Sequence, residues 1–159
     1  MNASAVGKKY SEAMRAYLAG LIDGDGAIMA TIEPHHEKKF HFRVRIELKI
    51  TQKEKKYLEF IPKILGCGSI RTSKKEVSDW ITRDQQEIAE ILSLIRPYSK
   101  MKQQQIKIAL QIIGTSIKKR RDLVRVARLA DALSRFNVRS KNRRKNYASM
   151  IDDYFSPND

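Results

Sequence analysis

Cysteine is almost missing: Cys67 is the only one among 159 residues. No internal disulfide is possible, and the thiol reads as a small buried side chain in the turn 66–69. Long apolar runs are missing too. None approaches the ~20 residues of a membrane-spanning helix, so a soluble chain with no membrane partner is expected. Residues 1–12 have neither an apolar signal core nor an arginine-rich amphipathic pattern, and no secretion or import signal is read there. The expected location is intracellular, in cytoplasm or nucleoid, or in the organelle whose genome encodes the chain. No internal repeat or low-complexity block is found. Acids are the remaining shortage: 18 Asp and Glu face 32 Lys and Arg, a net charge of +14. An excess of that size points to a polyanionic partner, nucleic acid first.

What is present suits one core. Apolar residues make up 42% of the chain, and the length favours a single domain, expected over residues 1–138. Residues 139–159 form a basic tail, helical or flexible, opening on "RSKNRRKN".

Punctuation marks most of the boundaries. Ser11 is a good N-cap for a helix reaching Ile22, which Gly24 and Gly26 would stop. Residues 27–33 read as a strand. Residues 40–50 alternate without a miss, with Phe40, Phe42, Val44, Ile46, Leu48 and Ile50 on one side and His41, Arg43, Arg45, Glu47 and Lys49 on the other. Thr51-Gln52-Lys53-Glu54 has the form of a capping box for a helix to Leu65, interrupted by Pro62 and stopped by Gly66. A second hairpin is expected at 69–72 and 77–82. Helices follow from Asp84 to about Ile95, over 102–113 and over 118–135, the last with Leu123, Val126, Ala127, Ala130 and Leu133 inward. The order predicts an α+β domain with one antiparallel sheet.

The polar side of the long strand is a candidate reading surface. Eleven residues at ~3.3 Å cover about ten base pairs, and a twisted β-ribbon can enter a major groove. An ordinary sheet with one face in water has the same pattern. His35, His36 and His41 do not have the spacing of a zinc site and read as a loop tip and a strand position.

Residues 18–26, "LAGLIDGDG", resemble the signature of the LAGLIDADG homing endonucleases, with Gly24 in place of alanine. Ile50-Thr51-Gln52-Lys53, Val77-Ser78-Asp79-Trp80 and "KMKQQQ" at 100–105 are similar to segments of the single-motif, homodimeric branch. The resemblance covers roughly residues 10–135 and implies the αββαββα fold, with additional C-terminal helices. It implies that the motif helix packs against its twin through Ala16, Ala19 and Gly20, small residues that let backbones approach closely. Asp23 would lie at that interface and hydrogen-bond backbone at the helix end.

The same resemblance implies site-specific hydrolysis of both strands of a long pseudo-palindromic DNA target of about twenty base pairs, leaving short 3′ overhangs. Asp25 matches the catalytic metal ligand, and the Gly24 carbonyl would reach the same ion. Mg²⁺ suits these hard oxygen donors; Mn²⁺ would substitute, and Ca²⁺ would support binding with poor cleavage. Gln52 would orient water and Lys102 would stabilise developing negative charge, as the other catalytic residues. Lys56 and Asp79 match peripheral positions. Met29, Thr31, Glu33, His35, His41, Arg43, Arg45, Glu47, Lys49, Arg71, Ser73, Lys74 and Ile81 would contact DNA. Two alternatives stay open on this fold: an intron RNA-splicing maturase and a DNA-binding regulator that does not cut.

Overall fold

The computed structural model describes residues 10–137 and 144–156; residues 139–143 and 157–159 of the expected basic tail lie outside the described residues. Helix α1, Glu12–Asp25, is opened by Ser11, whose hydroxyl accepts from the Met14 N–H at 3.1 Å. It does not stop at Ile22. Gly24 remains helical, because one glycine costs a helix only ~1 kcal/mol, while Ile22 and Asp23 are both buried by staying in it. The turn falls at Gly26, which donates its N–H to the Ile22 carbonyl. A Cβ there would stand 2.6 Å from that same oxygen, so helix and strand can join this closely only around glycine.

Strand β1, Gly26–Pro34, pairs antiparallel with β2, Phe42–Gln52, Gly26 opposite Ile50 and Pro34 opposite Phe42. The second strand starts two residues later than its alternation suggests. The loop before it is closed by its own backbone bonds, His35 N–H to His41 O and His41 N–H to Lys38 O, both 2.8 Å. His41 takes a left-handed φ of 63°, so alternation begins only at Phe42.

The strand also ends two residues later than expected. Thr51 and Gln52 stay in the ladder, opposite Asp79 and Ser78. The capping box does not form, because the Thr51 hydroxyl donates to the Asp79 carboxylate at 2.5 Å. In place of one helix over 51–65 there is a 3₁₀ turn, Lys55–Tyr57, and a short α2, Phe60–Leu65. Pro62 lies in the first turn of α2, where a missing N–H breaks no helical bond. Gly66 ends the helix with φ 68°, as its position predicts.

Strands β3, Ser69–Thr72, and β4, Ser78–Thr82, complete an antiparallel sheet in the order β1-β2-β4-β3. Helices α3, Gln85–Ile95, α4, Gln103–Gly114, α5, Arg120–Asn137, and α6, Tyr147–Phe155, follow. Asp84 caps α3 by accepting the Glu87 N–H at 2.9 Å. The Glu87 side chain does not close a capping box; it accepts from the Thr82 hydroxyl. The observed class is α+β, as expected.

All helices of the core lie on one face of the sheet. Ile28, Ala30 and Ile32 of β1, Ile46, Leu48 and Ile50 of β2, and Trp80 of β4 point inward and are buried with Ile88, Leu92 and Ile95 of α3 and Ile106 of α4. The five inward residues expected of α5 are all buried. Each large aliphatic side chain so buried stabilises the fold by about 1.5–3 kcal/mol relative to exposure. Helix α6 joins this core through Tyr147 and Ile151. Asp131 of α5 holds its start, accepting from the N–H groups of Tyr147 at 2.6 Å and Ala148 at 3.1 Å.

Candidate functional site

With the even-numbered residues of β1 and β2 in the core, the odd-numbered ones share the opposite face. Cross-strand register sets them in rows: Ala27–Lys49–Ile81–Ser69, Thr51–Asp79–Arg71, Met29–Glu47, Thr31–Arg45 and Glu33–Arg43. Thr31, Arg45 and Arg71 are exposed; Met29, Glu33, Arg43, Glu47 and Lys49 are half-buried. Ile81 is on this face but only 7% exposed. Ser73 and Lys74 are exposed in the β3–β4 turn. Both glutamates of this face are matched to an arginine. Glu33 pairs with Arg45 at 3.0 Å, and Glu47 accepts from Arg83 at 2.7 Å, which offsets carboxylates that would otherwise repel phosphate.

One expected member of this face stands elsewhere, whereas His35 is in the loop where it is expected. His41 lies in the loop before β2, its ring 6.1 Å from that of Tyr154 in α6, because its left-handed backbone breaks the strand parity. His35 sits at the other end of the same loop and stacks on His36, rings 5.8 Å apart.

At the end of α1 the face meets a cluster of chemically active groups. Gly26 pairs with Ile50, so Gln52, two residues further along β2, reaches back to the last helical turn. Its amide Nε2 donates to Asp25 Oδ2 at 2.6 Å. Asp25 is exposed. The Gly24 carbonyl is among the last four of the helix, which have no helical donor.

Lys102, at the start of α4, donates its Nζ to the Asp23 carbonyl at 2.9 Å, a cation placed where the helix end carries partial negative charge. That leaves two of its three ammonium hydrogens for other acceptors. Asp79 is held by Thr51. Lys56 pairs with Glu54 at 2.6 Å, so its charge is partly offset.

Asp23 is not part of an open interface. It is 6% exposed and accepts from the Ser99 hydroxyl at 2.5 Å and the N–H groups of Lys100 at 2.6 Å and Met101 at 3.1 Å. Burial pushes its pKa up, but these hydrogen bonds and the Lys102 charge outweigh burial and hold it below the ordinary carboxylate value. Ala19 is likewise fully buried within its own chain. Both expectations of interface placement fail for one reason: at 100° per residue, positions 19 and 23 fall on the core side of α1. The open side carries Ala13, Ala16, Gly20 and Gly24, all exposed. No atom lies within 4 Å of a Cβ built on Gly20 or Gly24.

Cys67 is half-buried, and burial, followed by the nearby Glu87 and Glu90, pushes its thiol up to about 11. It is inert at neutral pH, in line with a structural residue.

A profile of the LAGLIDADG endonucleases matches residues 18–113. The chain belongs to the LAGLIDADG endonuclease family. It is 34% identical to the DNA endonuclease I-CreI of Chlamydomonas reinhardtii over 107 residues, 66% of this chain and 65% of that one. It is also 34% identical to the DNA endonuclease I-CvuI of Chlorella vulgaris over 100 residues, 62% of each. These matches span slightly less than two thirds of either relative.

The fold is similar to the crystal structure of I-CvuI in complex with the I-CreI target and 2 mM Mg, in which the DNA is not cleaved: TM-score 0.80 and 29% identity over 89% of this chain and 92% of that one. The archaeal intron-encoded I-Vdi141I, complexed with DNA, shares the fold at TM-score 0.77 and 20% identity, with 90% and 97% covered. The LAGLIDADG motif thus spans the second half of α1 and its turn into β1. Sequence reading missed Ser99, Arg83 and Asp131. Of these only Arg83 carried a signal, because the outward parity of Asp79 and Ile81 continues to it.

Proposed function

We propose that this chain is a homing endonuclease that binds a long, nearly palindromic DNA duplex as a homodimer and hydrolyses both strands with a divalent metal ion, leaving short 3′ overhangs. The observation that carries the reading is the exposed Asp25 carboxylate at the end of the motif helix, 2.6 Å from Gln52, at the border of a cationic sheet face. The relatives described as DNA endonucleases, and the DNA complex of I-CvuI, support it.

The donor set fits a hard cation. Asp25 and the Gly24 carbonyl would hold the ion, Mg²⁺ by preference and Mn²⁺ as substitute, both oxygen-seeking. When bound, such an ion stabilises charge on a phosphate and lowers the pKa of coordinated water. I-CvuI has also been crystallised on its target with 2 mM Ca. Among the described residues of one chain no three His, Cys, Asp or Glu side chains converge. A second copy, joined through the small-residue side of α1, would bring a second Asp25 beside the first. Gln52 would hold Asp25 in place and orient the attacking water, and Lys102 would offer its free hydrogens to phosphate oxygen. Lys56 and Asp79 would tune the periphery.

The outer face would read bases through Met29, Thr31, Glu33, Arg43, Arg45, Glu47, Lys49 and Arg71, with Ser73 and Lys74 at its border. Strand β2 is 11 residues long, ~36 Å at ~3.3 Å per residue, or about ten base pairs per subunit and twenty per dimer. The test is Asp25→Asn. It removes the charge that would hold the metal and leaves the sheet untouched, so strand scission in Mg²⁺ should fall at least about a hundredfold while a gel shift on bound DNA persists. Undiminished scission by the variant, or by the unaltered chain in chelator, would refute the mechanism. Sequence-specific binding without scission by the unaltered chain in any metal would refute the endonuclease reading.

A further inference from the structure

The outer face carries two arginines, each paired through its Nε with a glutamate. Arg45 is paired with Glu33 through its Nε at 3.0 Å, and Arg83 donates its Nε to Glu47 at 2.7 Å. A guanidinium has five N–H donors in a planar fork. An ion pair through Nε fixes the plane of that fork and leaves the two terminal Nη groups to point beyond the carboxylate. Bidentate Nη contact to O6 and N7 is how arginine recognises guanine in the major groove. The side chains of Arg45 and Arg83 remain 42% and 45% exposed.

Arg83 lies just past β4, and its place on the reading face follows from register. Leu48 pairs with Thr82, so the next position outward sets Arg83 beside Glu47, which faces Met29 on the other side. Thr82 points inward and is 5% exposed; Arg83 points outward.

We infer that Arg83, clamped by Glu47, is a specificity-determining residue that selects a guanine in each half of the DNA target, as Arg45, clamped by Glu33, selects another. The inference rests on the proposed reading of the sheet as the DNA face. Positions 45 and 47 are two residues apart, ~6.6 Å along the strand, so the two guanines stand about two base pairs apart. Glu33 and Glu47 are positioning residues. They aim the forks, and their negative charge disfavours the arginines' use as simple phosphate contacts.

The experiment selects bound sequences from a randomised duplex library, using the 159-residue chain in Ca²⁺, and compares the enriched motifs. The unaltered chain should enrich guanine at two positions per half-site. Arg83→Ala should flatten one position and Arg45→Ala the other, each loss worth roughly tenfold or more in discrimination. Arg83→Lys, which keeps the charge but not the fork, should flatten the same position as Arg83→Ala. Glu47→Gln should reduce discrimination at the Arg83 position and leave the Arg45 position as it is in the unaltered chain. Circular dichroism and thermal melting establish that each variant is folded.

A motif unchanged by Arg83→Ala would overturn the inference alone. So would uniformly weaker binding with a salt slope smaller by about one, the mark of a phosphate contact. A library from which the unaltered chain enriches nothing would overturn the DNA-reading function together with it.

Discussion

Asp23 and Asp25 are two residues apart on one helix and have separate tasks. Asp23 turns inward and ties α1 to the segment before α4 through Ser99, Lys100 and Met101; Asp25 turns outward and accepts from Gln52 at the sheet border. Because the folded pKa of Asp23 lies below its unfolded value, the charged carboxylate adds stability above about pH 4, and that contribution is lost as pH falls through the folded pKa. Asp23→Asn should therefore cost about 2–3 kcal/mol at pH 7, with a smaller loss of stability on acidification than the unaltered chain shows. Urea melts from pH 3 to 7 check both; equal acid sensitivity would remove Asp23 from the account.

Element boundaries were decided by which partner each polar group found. Thr51 met Asp79 across the ladder, so a predicted helix start became the end of a strand. Gly68 illustrates a closer constraint: its φ is 78°, and a Cβ there would overlap the Trp80 indole, whose Nε1 donates to the Cys67 carbonyl at 3.2 Å. Gly68→Ala should destabilise the chain by about 1–3 kcal/mol through backbone strain and overpacking, visible as a lower thermal midpoint. Helix α6 depends on Asp131 of α5. Asp131→Ala leaves two N–H groups without their acceptor and should cost about 1–3 kcal/mol, with new proteolytic cleavage confined to residues 144–156. Cleavage spread evenly over the chain would mean that α6 is not held separately by this cap.

At the scale of the whole molecule, the exposed side of α1 and the distribution of charge set the behaviour. One side of α1 packs on the core; the other, Ala13, Ala16, Gly20 and Gly24, is exposed beside Tyr17, which is 56% exposed. A Cβ added at Gly20 meets nothing beyond its own helix and the position is exposed, so Gly20→Leu should leave the thermal melt of the monomer nearly unchanged while blocking close approach of a twin helix. Under the proposed homodimer, sedimentation at micromolar concentration should show a dimer for the unaltered chain and a monomer for Gly20→Leu, with scission lost. A dimer that survives this change would place the twin interface elsewhere. Positive charge is not confined to the sheet. Arg121, Arg125 and Arg128 are exposed on α5, so the salt dependence of DNA binding should report fewer contacts than the total of 32 cations suggests.

Sequence alone determined the α+β order, the parity of β2, the inward stripe of α5, the stop at Gly66, and the motif that marks the family. These are local: strand alternation, helical spacing and a left-handed glycine act within a few residues. Tertiary structure decided that α1 continues through Gly24, that Thr51 and Gln52 stay in the sheet, and that Ala19 and Asp23 face the core. It also set Arg83 beside Glu47 and docked Tyr147 on Asp131. Each of these depends on a partner from 15 or more residues away, Ile50 opposite Gly26, Asp79 opposite Thr51, Ser99 on Asp23, and a local pattern carries no information about which distant group satisfies a buried donor or acceptor.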